Sequence, residues 1–409
     1  MRGRADCAPL PAPAGRIVRV ASEPELQAAV RSLRSDTTLL LADGEYRLEN
    51  TLHLRGGLER VAIRGESGDR DRVVLRGRGM RNPDHADVPH GILISDARQV
   101  LIADLSIVEV YYHAVQVAGE AGAADVTLYN LRLAEAGEQL VKGSSAGPPG
   151  PYADRGLVAC SWIGYADRAR DDYTNGVDVL AGADWILRDN DFVNIRAPAG
   201  QLAGPAVLFW RNSLRTVVER NRFVNCDRAI ALGLAAPDPR LARDGEARYD
   251  HQNGIIRNNM IYRAAGGPTG DIGISVNHHP GFTILHNTVI QNGSFPQGVI
   301  EYRFAESVGR ILGNLGDGPI WRRDGASAEL ADNLDSARPD WFLAAADGDL
   351  HLRPGSGAGA AIDAAAPLAD LVDDFDGQPR PAHARLEIGA DELEPEPARL
   401  WLPWLRRPG

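Results

Sequence analysis

Cysteine and long apolar runs are both scarce in this chain. Its 409 residues include three cysteines, Cys7, Cys160 and Cys226, without metal-type spacing, so we expect neither a disulfide framework nor a cysteine zinc site. No stretch approaches the ~18 apolar residues of a membrane-spanning helix, and membrane insertion is therefore not expected. The basic N-terminal residues lack the apolar core of a secretory signal, which leaves a cytoplasmic protein or one whose signal has been removed.

Positive charge is also in short supply. The formal net charge is −11, which argues against a general nucleic-acid binder and requires a local basic cluster for any anionic ligand. Among the 44 basic residues only Lys142 is a lysine. Lysine, unlike arginine, can give up its proton near neutral pH, so Lys142 could have a chemical role. It could equally be a chance survivor on a loop.

An internal repeat dominates the sequence. Segments such as VLIADLSIV, WILRDNDFV and FTILHNTVI each contain a short β-type apolar run, a turn position and further alternating apolar residues. The turn position is occupied by Asp104, Asn130, Cys160, Asn190, Asn221, Asn259, Asn287 and Asn314. Asparagine tolerates left-handed backbone and pairs with nearby backbone groups. The repeat predicts an all-β parallel β-helix with an asparagine ladder at one corner, and it lacks the patterns of leucine-rich repeats and propellers.

The repeat has a beginning and an end. We expect a disordered arm over residues 1–15, one domain over 16–393 with a capping helix at about 22–33, degenerate coils over about 325–393, and a tail with proline and tryptophan over 394–409. The helix followed by ADGEY is similar to the N-terminal cap of pectate-lyase-like proteins. The segment AADGDLHLRPGSGAGAAID resembles the C-terminal part of many bacterial, mostly extracellular, β-helix proteins. These resemblances imply a right-handed three-sheet helix and a secreted or periplasmic location.

A second strand in each coil supplies the candidate site. Because side chains alternate along a strand, one set points outward. That set includes Gln116, Asp178, Trp210, Asn277, Glu301 and Arg303. Lys142 joins it if Gly143 aligns with Gly119, whereas a slip by one residue would bury it.

Four long insertions are expected to stack at one corner as a wall beside this outward stripe. They span about residues 144–155, 165–175, 196–204 and 235–253, and each is expected to precede an outward strand. Long loops in compact folds are commonly functional. The wall would bring Arg155 within reach of a bound substrate.

Individual residues have competing interpretations. Asn175 and Asp178 could bind Ca²⁺, or could form a turn with an exposed carboxylate. Trp210 and Arg211 suit ring stacking and carboxylate pairing, or are a packed tryptophan beside a solvated arginine. His278 could carry a proton.

Glu301 and Arg303 are candidate catalytic groups, or simply an ion pair with each other.

The function follows from resemblance rather than from a matched motif. The residue types are similar to the pectate-lyase superfamily, loosely its chondroitinase-B and alginate-lyase branch, where a lysine and arginine work beside calcium. That similarity implies β-elimination on a uronate-containing polysaccharide, with Lys142 as base, calcium at Asn175 and Asp178, and Arg211 or Arg303 neutralising the sugar carboxylate. Alternatives are a glycoside hydrolase using two of Asp178, Asp271 and Glu301, or a non-catalytic glycan-binding or cell-surface protein.

Overall fold

The chain folds as a right-handed parallel β-helix, as the repeat predicts. The computed structural model describes residues 7–236, 238–266, 270–382 and 384–393. One α-helix, Glu23–Arg31, covers the N-terminal end and buries Leu26 and Val30. The predicted N-cap Ser22 has extended backbone but no side-chain cap bond; Glu25 instead accepts a hydrogen bond from the Ala21 N–H.

Each coil contributes strands to three faces. Face 1 consists of Arg16–Val20, Thr37–Leu41, Leu58–Gly65, Ala97–Val108, Ala124–Ala134, Leu157–Ala159, Ile186–Arg188, Val217–Glu219, Ile255–Arg257, Pro280–Leu285, Val308–Leu312 and Ser327–Ala331. Face 2 consists of Gly44–Arg47, Val73–Arg76, the second halves of Ala97–Val108 and Ala124–Ala134, then Trp162–Gly164, Asp191–Val193, Arg222–Val224, Met260–Tyr262, Thr288–Ile290 and Leu315–Gly316. The two long strands bend across the corner, so faces 1 and 2 form one 20-stranded sheet.

Face 3 is a separate ten-stranded parallel sheet. Its strands are Leu52–Leu54, Ile92–Ile94, Val115–Ala118, Val141–Ser144, Val177–Leu180, Val207–Trp210, Ile230–Leu232, Ile274–Asn277, Ile300–Arg303 and Ile320–Arg323. Inward residues such as Val115, Val177 and Val207 are fully buried in the core that the three faces share. The outward residues of face 3 are free to build a site.

The asparagine ladder stands at the corner between faces 1 and 2. From Asn190 each side-chain amide donates to the next Oδ1 at 2.9–3.1 Å. The ladder runs through Asn190, Asn221, Asn259, Asn287, Asn314 and Asn333, of which only Asn333 was not predicted. In this stretch the left-handed residue is the one before each asparagine, such as Asp189. Asparagine is therefore selected here for its amide pairing rather than its backbone.

The N-terminal arm is attached, contrary to the expectation of no disulfide. Cys7 is bonded to Cys160 at the same corner, and Cys226 is a free buried thiol. The Ala8 carbonyl accepts a hydrogen bond from the Tyr129 hydroxyl at 2.6 Å. The ladder position at Cys160 passes to Ser161, whose N–H donates to Asn190 Oδ1. From Cys7 onward the N-terminal arm, which the sequence predicts to be disordered, is thus fixed to the β-helix. Residues 1–6 lie outside the described part.

Shorter elements complete the fold. Ser213–Leu214 pairs with His251–Gln252, and Phe342–Ala344 pairs antiparallel with Asp349–Leu352. The 3₁₀ turns are Gly119–Ala121, Pro339–Trp341, Ala345–Asp347 and Gly357–Ala360. After Asn333 the chain packs back on the β-helix around a second core that includes Trp341, Phe342 and Phe375. The predicted tail 394–409 lies outside the described residues, and no helix in the described part is long and apolar enough to cross a membrane.

Candidate active site on face 3

A row of outward side chains crosses face 3 through Lys142. Strand pairing sets Lys142 between Gln116 and Asp178, and continues to Leu208 on the next strand. The alignment of Gly143 with Gly119 is wrong by two residues, since Gly143 pairs with Val117. Because successive side chains of a strand point to opposite faces of the sheet, a shift by two residues leaves Lys142 on the outward face.

Lys142, Asp178 and Trp210 form one hydrogen-bonded cluster. The Lys142 ammonium donates to Asp178 Oδ2 at 2.5 Å, and the Trp210 indole N–H donates to Asp178 Oδ1 at 2.9 Å. Lys142 is only 8% exposed and Asp178 3% exposed, although both point away from the core. Ions so far removed from water are tolerated only when paired and hydrogen-bonded. The cluster is therefore a fixed unit in which carboxylate and ammonium depend on each other.

Arg211 adds a positive charge at the edge of this cluster. Its guanidinium carbon lies 4.8 Å from the centre of the Trp210 ring. Its backbone is left-handed, and its N–H donates to the buried carboxylate of Asp250, which also binds the N–H groups of Leu234 and Ala235. No carboxylate of the described residues lies within ion-pair distance of the half-buried Arg211, although its charge contributes to lowering the pKa of Asp238. The guanidinium is consequently available to an anionic ligand.

Two titratable groups that the sequence did not single out lie beside Lys142. His113 and Glu138 precede neighbouring face 3 strands, with His113 Nε2 3.9 Å from Glu138 Oε2. Burial, followed by the positive charges nearby, lowers the pKa of His113 to about 3, so its ring is neutral at ordinary pH. Burial raises the pKa of Glu138, opposed by Arg170. The signal that could have identified His113 and Glu138 as candidate site residues is their position immediately before an outward-facing strand.

Three of the predicted catalytic residues lie too far away to act with Lys142. Glu301 is five strands along face 3, about 24 Å at the usual strand spacing, and His278 is beside a strand four steps away, about 19 Å. Glu301 bonds Arg323 at 2.7 Å, and Arg303 bonds Asp324 at 2.7 Å. The expected pairing of Glu301 with Arg303 is therefore wrong, as is a single catalytic set containing these residues.

The remaining residues predicted to bind substrate lie in different parts of the molecule. Gln116 is half-buried on the strand next to Lys142. Asn277 is buried near the far end and donates to the Leu234 carbonyl. Arg155 forms a two-bonded ion pair with Asp125, at 2.5 and 2.8 Å, just before a face 1 strand. Arg155 is thus held towards face 1, and its contact with substrate stays a prediction.

The long loops stand on both sides of face 3, not in one wall. Segments 165–175 and 196–204 precede face 3 strands, whereas 144–155 and 235–253 follow them. Arg243 joins the latter two loops through Asp154 at 2.6 and 2.9 Å, and its carbonyl accepts a bond from Tyr152. The face 3 groove is consequently flanked by two walls.

The residues predicted to bind calcium do not converge. Both oxygens of Asp178 are used by Lys142 and Trp210, while the Asn175 amide donates to the Pro205 carbonyl and its oxygen accepts from Gln139. The described residues contain no group of three or more His, Cys, Asp or Glu side chains suited to a metal. Calcium binding generally needs several oxygens around one point. Asn175 and Asp178 as arranged do not fit the ion.

Two of the carboxylates predicted for glycoside hydrolysis, Asp178 and Glu301, do not form a catalytic pair. Asp178 and Glu301 are four strands apart, about 19 Å, which exceeds the ~9.5 Å upper limit for an inverting pair. Asp271 is engaged in an ion pair with Arg228 at 2.9 Å.

The fold is a parallel β-helix, the fold also found in solved polysaccharide lyases. The structure is similar to pectate lyase Pel9A, with a TM-score of 0.58 and 12% identity over 93% of this chain and 97% of that one. An alginate lyase from Paenibacillus sp. str. FPU-7 matches 77% of this chain and 97% of its own at 13% identity, TM-score 0.42. A GH136 lacto-N-biosidase from Eubacterium ramulus matches 80% and 67%, respectively, at 10% identity, TM-score 0.48.

At these identities the likeness extends to the fold alone. No protein-family model matches the chain. The comparison with curated proteins found no significant match either.

Proposed function

We propose that this protein cleaves a uronate-containing polysaccharide by β-elimination at the cluster of Lys142, Asp178 and Trp210. The observation that supports it most is the position of the only lysine in the chain. Lys142 is held on the outward face of the groove by a buried carboxylate, near the guanidinium of Arg211, which has no carboxylate of the described residues within ion-pair distance. A chain that otherwise uses arginine thus keeps its one lysine beside a buried carboxylate that also binds an indole N–H.

The chemistry balances within the cluster. Lys142 first passes a proton to Asp178 over their 2.5 Å hydrogen bond, which leaves a neutral amine and a carboxylic acid. The amine then takes the proton α to the sugar carboxylate, the C–H electrons form the carbon–carbon double bond, and the glycosidic bond to the leaving oxygen breaks. Asp178 protonates that oxygen and returns to its carboxylate form. The resting ion pair is restored without an outside proton.

Arg211 and the neighbouring groups support this chemistry. Removing the α proton places negative charge on the sugar carboxylate, and a guanidinium can bind that carboxylate through two parallel bonds. Trp210 offers its ring for packing against a sugar and holds Asp178 in place. The neutral His113 adds no competing positive charge near Lys142.

The disulfide supports a location outside the cytosol for the proposed reaction. Bonds such as Cys7–Cys160 form and persist in oxidising compartments and are rare in the cytosol. An exported protein would also encounter extracellular polysaccharides directly.

A screen on polygalacturonate, alginate and chondroitin sulfate tests the proposal. We expect new ultraviolet absorbance from the conjugated uronate product with at least one of them. Lys142→Met should lower kcat by at least about 100-fold, and Arg211→Ala should raise KM and lower kcat. Arg215→Ala, which removes an exposed arginine paired with Asp184, is the matched control and should leave both unchanged.

Reducing ends without the absorbance would point to hydrolysis. Binding without either product would identify a glycan-binding protein. Each of these results would contradict β-elimination.

A further inference from the structure

Exposure along the floor of the groove is unequal on the two sides of Lys142. The floor is the outward row His53, Leu93, Gln116, Lys142, Asp178, Leu208, Ala231, Ser275, Glu301 and Trp321. The three residues before Lys142 are partly exposed. The six from Lys142 to Glu301 are buried, with Leu208 at 4% and Ala231 at 1%.

That burial shows where a ligand can lie. Outward side chains of a bare sheet are exposed, so the buried stretch is covered by other parts of the chain. One of the two walls is tied together beside it: Arg243 of the 235–253 loop binds Asp154 of the 144–155 loop, and Asp250 fixes the base of the 235–253 loop at Leu234 and Ala235. Lys142 and Asp178 stand at the edge of this stretch, beside the partly exposed Gln116, whereas the floor residues beyond Asp178 offer a polymer no open surface.

The open side of the groove is bordered by aromatic rings. His90 and His113, which precede adjacent face 3 strands, stack with ring centres 5.0 Å apart, and the Tyr112 ring lies 5.7 Å from His90. His85 and Tyr111 continue this group at 4.7 Å. His90 and Tyr112 are partly exposed. Burial, followed by the charge of His85, lowers the pKa of His90 to about 4, which keeps its ring uncharged.

Uncharged rings beside a polar floor suit sugars. The C–H face of a pyranose packs on an aromatic ring, while its hydroxyls can bond the floor residues Gln116 and His53. At the closed end, Trp210 is partly exposed and Arg211 has no ion-pair partner among the described residues, which suits the last sugar of a chain and its carboxylate.

We propose that a polysaccharide enters from one side only, lies along Gln116, Leu93 and His53 against Tyr112 and His90, and ends at Trp210 and Arg211. Lys142 then acts near a chain end, so cleavage is exolytic. This inference rests on the proposed function as far as cleavage is concerned, whereas the binding site itself can be tested without cleavage.

Binding is measured first, by calorimetry with saturated oligogalacturonates and oligoalginates of two to six sugars, on Lys142→Met protein shown to be folded by circular dichroism. Tyr112→Ala should weaken binding of the longer oligosaccharides about tenfold and leave the disaccharide unchanged. Tyr112→Phe, which keeps the ring, should bind like its parent. Phe295→Ala, at the ring beside Trp321 near the far end, is the control and should have no effect.

If Phe295→Ala weakens binding and Tyr112→Ala does not, the one-sided site is wrong even when β-elimination occurs. If oligosaccharides bind as described but no unsaturated product forms, the proposed function fails and the binding site stands.

Cleavage mode is then read from the products of the wild-type enzyme. Exolytic action gives short products from the start, and viscosity falls in proportion to the bonds broken. An early ladder of long oligosaccharides with a rapid loss of viscosity would overturn the closed end of the groove.

Discussion

Replacing Asp178 by asparagine should strongly destabilise the protein, because it leaves the Lys142 ammonium buried without a counter-charge. The side chains of the pair are only 10% and 4% exposed. Removing one partner of such a buried pair typically costs about 3–5 kcal/mol. For 409 residues an unfolding entropy of about 2.1 cal/mol/K per residue amounts to roughly 0.9 kcal/mol/K, so Tm should fall by about 3–6 °C.

The double variant Lys142→Met with Asp178→Asn separates pairing from packing. It removes both charges while the amide oxygen of the introduced asparagine could still accept the Trp210 N–H, and it should recover most of the lost stability. We expect a coupling free energy of about 3 kcal/mol from the four-variant cycle, measured by thermal and denaturant unfolding with circular dichroism. The exposed pair of Arg215 and Asp184, at 2.6 Å, is the control and should give less than about 1 kcal/mol. Additive effects of Lys142→Met and Asp178→Asn would refute the interdependence of the two charges.

Three further predictions concern the disulfide, acid and calcium. The native protein should show no reactive thiol, the denatured protein should show one, from Cys226, and the reduced and denatured protein should show three. Cys7→Ser should lower Tm. Free thiols at both Cys7 and Cys160 in the oxidised protein would contradict the disulfide. Several histidines have a pKa lowered mainly by burial, so at these positions the unfolded chain binds more protons below pH 6.5 and stability should fall as pH drops from 6.5 towards 4. Two carboxyl groups partly offset this fall, because burial raises the pKa of Glu387 to about 9 and that of Asp391 to about 6. These histidines are His90, His113, His251, His279 and His286; a Tm independent of pH over that range would be inconsistent with their burial. Chelation by EGTA should leave activity on the cleaved polysaccharide unchanged, since Asn175 and Asp178 are occupied by other partners; lost activity that returns with Ca²⁺ would show a site elsewhere in the chain.

The fold could be predicted because it depends on local, repeating signals. The apolar alternation recurs from coil to coil and asparagine occupies one corner in most of the aligned coils, so an error in one coil is corrected by its neighbours. Even the two-residue misalignment of Gly143 kept Lys142 on the correct face. At Cys160 the same regularity hid the disulfide, because the cysteine bonded to Cys7 stands at a turn position that asparagine fills in other coils.

The candidate site could be predicted only in part, because a strand pattern gives the face of a residue but not its distance along the stack. Glu301 and Arg303 share their face with Lys142, yet several strands separate them from it. Loop residues are less predictable still, and Arg155 is directed to Asp125 on another face. His113 and Glu138 lie at a corner before their strands, where no periodicity marks them.

Replacing Lys142 by arginine tests whether residue 142 serves only as a partner in an ion pair or also as a reactive amine. An arginine could keep the charge and bond Asp178, although a two-bonded guanidinium would compete with the Trp210 N–H for Oδ1. What it cannot do is give up its proton at ordinary pH. Lys142→Arg should therefore keep Tm within about 2 °C of the wild type, much nearer than Asp178→Asn, yet lower kcat by at least about 100-fold on the cleaved polysaccharide. Steady-state kinetics and thermal unfolding on the same preparation check both halves. Full activity in the arginine protein would mean that residue 142 supplies only charge, and that the proton is taken by another group.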